Sequence, residues 1–189
     1  MSDWNDLREM VEKCDKCELC RERNKVVFGA GDPDADVLFV GEGPGRDEDL
    51  QGKPFVGAAG KILDEMLDGI GLNREEVFIG NIVKCRPPNN RDPKPEEIEA
   101  CKGYLMAQIA FIKPKVICTL GRHSMTTLIR PGMKISEQHG RALKERGMLF
   151  LPIYHPAAVL HNRSQDFKDR LAGDFAKLKE ILDSGYFES

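Results

Sequence analysis

Four short runs of β-branched and large apolar residues punctuate the chain: Val37–Val40, Val77–Val83, Val116–Leu120 and Leu149–Ile153. Runs that are apolar at successive rather than alternate positions predict strands covered on both faces. Between them the apolar positions recur every three or four residues. Ala59, Ile62, Leu63, Met66, Leu67 and Ile70 share one helical face, and Gly71 suits the position just past its end. Pro95, Glu96 and Glu97 open another helix with the stripe Ile98, Cys101, Leu105, Ile109 and Ile112, which Pro114 stops. A last helix, capped by Ser164, carries Phe167, Leu171, Phe175, Leu178 and Leu182, and a shorter one runs over 122–128. Strands alternating with helices predict an α/β fold: a three-layer sandwich with a central four-stranded parallel sheet flanked by helices, as one domain over residues 1–189.

A parallel sheet of this kind binds ligands in the crevice beyond the carboxyl ends of its strands. The segments falling there are Gly41-Glu42-Gly43-Pro44-Gly45, Asn81 with the 84–90 stretch, Gly121-Arg122-His123, and Tyr154-His155-Pro156. Four polar loops are thus expected to converge on one edge of the sheet.

Composition narrows the class. The 189 residues are 41% hydrophobic and 31% charged, too apolar for a disordered chain and without an apolar run of the roughly 18 residues that span a bilayer. The N-terminal segment shows no secretory pattern, so a cytoplasmic protein without membrane attachment is expected. The net charge of −3 gives no general basic field. Lys84, Arg86, Arg91 and Lys94 nevertheless outnumber Asp92 over 84–94, and Glu42, Asp47, Glu48 and Asp49 outnumber Arg46 over 41–50. Solvated surface is the ordinary explanation for either cluster.

The glycines of 41–45 fit neither the dinucleotide fingerprint nor a P-loop, yet would bring backbone N–H groups close to a ligand, with Glu42 able to orient water or face a developing cation. Phe55, between Pro54 and Gly57, is either a core anchor or a stacking platform for a planar ligand. His155 stands at the ligand edge; His123 lies near it, and His139 and His161 have no such support. Six cysteines in a reducing compartment point to metal or catalysis rather than disulfides. Cys14, Cys17 and Cys20 are spaced as the opening of a ferredoxin-type run, Cys85 and Cys101 follow far downstream, and Cys118 reads as a core residue. Four ligands from Cys14, Cys17, Cys20, Cys85 and Cys101 could hold Zn²⁺ or an iron–sulfur cluster.

Taken together, CDKCELC, GEGPGRDED, GKPFVGAAG, NIVKCRPPNNRDPKPEEIEAC and HPAAVLHNR, in this order and over nearly the whole chain, resemble the family 4 uracil-DNA glycosylases, which carry a [4Fe–4S] cluster. The resemblance implies cluster ligands Cys14, Cys17, Cys85 and Cys101, with Cys20 spare, and a uracil pocket of Glu42, Gly43, Phe55, Asn81 and His155. In that reading Glu42 and His155 are catalytic, Asn81 reads the base edge and Phe55 stacks on it. Leu160, with Val159, fills the gap left by a flipped nucleotide, and Arg163 meets a phosphate. Bulk contributed by 45–48 is expected to refuse the 5-methyl group of thymine. Ala157 stands where the family commonly has Ser, which removes one phosphate contact. The expected partner is uracil-containing DNA, single- or double-stranded, bound by a monomer; no sliding-clamp partner is legible. Three other readings compete, one of them a zinc-stabilised nucleotide-binding module, which would be colourless where an iron–sulfur protein absorbs near roughly 400 nm. A non-turnover uracil-DNA-binding protein would trap its substrate through a histidine in an inserted basic loop, but residues 81–95 contain no histidine. An iron–sulfur electron carrier would leave the GEGPG, Asn81 and His155 loops without a role.

Overall fold

The structure, a computed structural model, describes residues 3–162 and 164–185. The helices are α1 (Trp4–Glu12), α2 (Arg46–Gln51), α3 (Ala58–Gly69), α4 (Pro95–Ile112), α5 (Arg122–Leu128), α6 (Ile135–Gln138), α7 (Ala158–His161) and α8 (Gln165–Ser184). The strands are β1 (Ala30–Gly31), β2 (Val37–Gly41), β3 (Phe78–Asn81), β4 (Val116–Leu120), β5 (Leu143–Glu145) and β6 (Met148–Ile153). They form a single sheet in the order β1-β3-β2-β4-β6-β5.

The inner strands β3, β2, β4 and β6 are mutually parallel, as the apolar runs predict. The sheet has six strands rather than four, because β1 and β5 add antiparallel edges of two and three residues. Both are half-exposed and carry no apolar run, so periodicity could not find them. The second run also ends as a strand at Asn81; Ile82 and Val83 stay buried, and their N–H groups bond Gly41 O and Glu42 O at 3.0 and 3.1 Å.

The side chains of each strand divide between two cores. Leu38, Val40, Phe78, Ile117 and Phe150 pack with residues of α1, α4 and α5 on one face. Val37, Phe39, Ile79, Cys118 and Leu151 pack with α3 and α8 on the other. Helix boundaries follow their local chemistry. Gly71 takes φ 75° just past α3, and the Ser164 hydroxyl accepts from Phe167 N–H at 3.3 Å at the start of α8. The short α2 was not legible, being an acidic turn without a stripe.

From β2 the chain runs to β3 on one side and later to β4 on the other, so the strand order reverses between β2 and β4. Crevices open at such a point. The register pairs Gly41 with Asn81, which sets Glu42 and Asn81 side by side at the carboxyl ends of β2 and β3.

Candidate active site

A cleft of about 460 Å³ opens at that edge, and Glu42, Gly43, Phe55, Asn81 and His155 all line it. Asn81 forms its floor. The residue is 2% exposed, and its Oδ1 is a buried acceptor with no hydrogen-bond partner among the described residues. An unpaired buried acceptor costs about 1–3 kcal/mol, so one retained at a cleft floor is poised for a donor on a ligand.

Gly41 permits this packing. A Cβ there would lie 2.5 Å from Asn81 Oδ1 and 2.8 Å from the Phe55 ring. Phe55 is buried and stacks on His155, with centroids 5.7 Å apart and planes at 29°. It therefore serves as core anchor and cleft wall at once. Its φ of 51° is left-handed, a conformation that costs a bulky residue about 1–3 kcal/mol and persists only where neighbours enforce it.

His155 has a defined tautomer. Ala157 N–H donates to Nδ1 at 3.1 Å, so the ring proton sits on Nε2 and is free to be donated. Burial pushes its pKa down to about 4, against a weaker opposing pull from the Glu48 carboxylate. The ring is neutral at neutral pH. The preceding residue is fixed by Asp174 of α8, whose Oδ2 accepts from Tyr154 N–H at 3.3 Å and whose Oδ1 lies 2.7 Å from His139 Nδ1. Burial raises the Asp174 pKa, and His139 and the Tyr154 N–H oppose that rise.

Glu42 stands at the cleft mouth beside His123. His123 Nε2 lies 3.2 Å from Glu42 Oε2 and 3.1 Å from Asp92 Oδ2. Burial raises the Glu42 pKa; His123 lowers it, Asp92 raises it and Arg122 lowers it. His123 thus belongs to the site, a placement the sequence suggested only by position.

The 84–94 segment is less basic at its surface than its composition implies. Lys84 is 1% exposed, and its Nζ donates to Asn81 O at 2.9 Å and Gln108 Oε1 at 2.6 Å. Burial pushes its pKa down to about 8. Arg91 is paired with Glu97 at 2.7 Å. Of the outer residues, Leu160 is 40% exposed on α7 while Val159 is buried in the core at 7%, so the apolar pair is split. Arg163 lies outside the described residues.

Cys14, Cys17, Cys20, Cys85 and Cys101 surround one cavity between α1, the 14–20 turn and α4. Cys118 sits in β4, away from it and fully buried. The donor set suits a thiolate-bound group: Lys84 N–H points to Cys101 Sγ and Arg23 Nη1 to Cys85 Sγ, both at 3.3 Å. Among the described residues the one trio of ligand atoms within 4.8 Å of one another is Glu42, Asp92 and His123, so no three of these sulfurs are that close.

Among the described residues, no helix is long and apolar enough to cross a membrane. Residues 28–179 match the model of the uracil DNA glycosylase superfamily. A type-4 uracil-DNA glycosylase of Sulfurisphaera tokodaii is 47% identical, with 96% of this chain and 86% of the relative covered. The type-4 enzyme of Archaeoglobus fulgidus is 44% identical over 96% and 94% of the two chains. That of Thermotoga maritima is 44% identical over 93% of each. By the superfamily match over most of its length and these identities over nearly the whole chain, the chain belongs to the uracil-DNA glycosylase superfamily, among relatives of type 4.

Proposed function

We propose that this protein excises uracil from DNA, hydrolysing the bond between the base and C1′ to leave an abasic site. The observation that carries the reading is the orphaned Asn81 Oδ1 on the cleft floor, between the Phe55 ring and the β2 end. Uracil offers N3–H to that oxygen. Cytosine offers a lone pair there, which leaves two acceptors facing each other. Phe55 covers the flat face of the base, which must leave the duplex to reach the cleft.

As the C1′–N1 bond breaks, its electron pair passes to the base and spreads onto O2. The neutral His155 Nε2–H donates to that oxygen as the charge grows. The Glu42 carboxylate faces the sugar, where positive charge develops. There it can orient the water that adds to C1′, whose proton is released to the carboxylate or to solvent. Cys14, Cys17, Cys85 and Cys101 would hold a [4Fe–4S] cluster, with Cys20 spare. When bound, the cluster would tie the N-terminal 14–20 turn to the 85–101 stretch that borders the cleft. Gly45 and Glu48 line the cleft where bulk against a 5-methyl group would act.

The test is a single-stranded oligonucleotide with one uracil, treated with alkali after incubation, beside a thymine control. Strand scission and free uracil from the first strand alone support the glycosylase. A protein–DNA adduct that survives a denaturing gel, without free uracil, would support the trapping reading instead.

Two further results are expected. Cys101→Ala should lose the visible absorption near roughly 400 nm of an iron–sulfur protein and bind DNA about tenfold more weakly, because the basic 86–94 loop loses one of its two pins. Cys20→Ala should keep both properties; bleaching of the Cys20 variant would place Cys20 in the ligand set. Leu160→Ala should slow excision from duplex DNA about tenfold more than from single strands, since a wedge contributes most where unstacking is needed. Equal losses on the two substrates would remove Leu160 from that role.

A further inference from the structure

Phe55 sits left-handed, and the cleft residues alone do not explain why it stays there. The enforcement comes from behind the cleft, from Arg74 in the loop between α3 and β3. Arg74 Nη1 donates to Pro54 O at 3.1 Å, and Nη2 donates to Phe55 O and, at 3.3 Å, to Gly60 O. Its Nε is paired with Asp64 of α3. On the cleft side Glu48 Oε1 accepts from Val56 N–H at 2.9 Å and from Gly57 N–H at 3.0 Å. The peptide plane after Phe55 is therefore held at both ends, a cation on its carbonyl and a carboxylate on its N–H. Gly60 completes the grip, since a Cβ there would stand 1.8 Å from Phe55 O.

We propose that Arg74 is a positioning residue for the base: by binding the Pro54, Phe55 and Gly60 carbonyls, it fixes the ring over Gly41 at the angle a flipped uracil stacks on. The planar guanidinium reaches all three oxygens while its Nε–H stays on Asp64, which the point charge of a lysine could not do. Arg74 touches neither base nor sugar, and its effect passes through Phe55 alone. The inference rests on the proposed function, specifically on Phe55 as stacking platform.

The experiment is a double-mutant cycle on single-stranded uracil DNA, with melting temperature followed in parallel. Arg74→Ala should lower kcat/KM about 100-fold, the loss that about 1 Å of misplacement brings. Phe55→Ala should fall by at least as much, and the double variant should lie within about threefold of Phe55→Ala, because residues acting through one another are not additive. Guanidinium ion at about 50 mM, against equal sodium chloride, should restore Arg74→Ala about tenfold and leave Phe55→Ala unchanged. Asp64→Asn, which loses the ion pair and keeps the three carbonyl bonds, should lower the melting temperature with kcat/KM within about threefold of the parent. An Arg74→Ala rate within about twofold of the parent, or losses that multiply in the double variant, would overturn the proposal. A parental rate in Phe55→Ala would instead remove the stacking reading, and the positioning role with it.

Discussion

Asn81→Asp is expected to release uracil about a thousandfold more slowly than the parent chain and to raise the cytosine-to-uracil rate ratio about a hundredfold, with its melting temperature and visible absorption little changed. The amide presents one acceptor and one donor to the base edge, matching uracil N3–H and O4. A carboxylate presents two acceptors. The oxygen facing O4 becomes repulsive in a site that is 2% exposed and cannot be relieved by water. Toward cytosine the same oxygen gains a donor in the exocyclic amino group. The side chain's backbone is held independently, because Lys84 Nζ binds Asn81 O and Ile82 N–H continues the ladder to Gly41 O. The fold is therefore expected to survive a change confined to the amide. Rates on uracil and cytosine strands of otherwise identical sequence check it. Parental rate and selectivity would take Asn81 out of base reading.

What the sequence made legible divides by the range of the interaction. The four inner strands and α3, α4, α5 and α8 are written in local periodicity, and so is the edge at which the polar loops meet. The strand pattern put Glu42, Gly43, Asn81 and His155 at that edge and the loop context singled out Phe55; the resemblance joined them into one pocket, and the structure brings all five to one opening. The supports behind them were invisible because each is made by residues far apart in sequence. Arg74 reaches Phe55 from 19 positions away, and Asp174 reaches Tyr154 from 20. Gln108 meets Lys84 across 24 and Phe28 across 80. No periodicity encodes such pairings. Lys84 did carry one signal, a lone cation directly after the buried run ending at Val83, but composition counted it with the surface charges of 84–94. Its burial draws that cation inward, beside Asn81 and the cysteines. Bonds of the same long range hold the neighbouring loop, where the Asp92 and Glu42 carboxylates share His123.

His155→Leu is the second large expectation, and it has two separable parts. Removing the donor to uracil O2 should cost about 10²–10³ in kcat, the usual loss for one donor aimed at developing negative charge. Because the imidazole pKa is held near about 4, the parent should keep this donor, neutral and on Nε2, from alkaline pH down to about pH 5. A cationic general acid would instead lose activity above its ordinary pKa of about 6.5, so the alkaline side of the kcat profile distinguishes the two. The second part concerns stability. In the folded chain the ring stays neutral where the unfolded chain takes up a proton, so stability is fully present above about pH 6.5 and is lost as pH falls from there toward about 4. At pH 5 the loss from this one group is about 2 kcal/mol. His155→Leu has no proton to take up in either state. It should therefore show a flatter decline between pH 8 and pH 5, by about that amount, whatever constant cost its altered packing and the freed Ala157 N–H add at both values. Denaturant titrations of parent and variant at the two pH values measure the difference directly. Identical pH slopes would mean that His155 is charged in the folded chain, and the hydrogen bond to O2 would then come from an imidazolium.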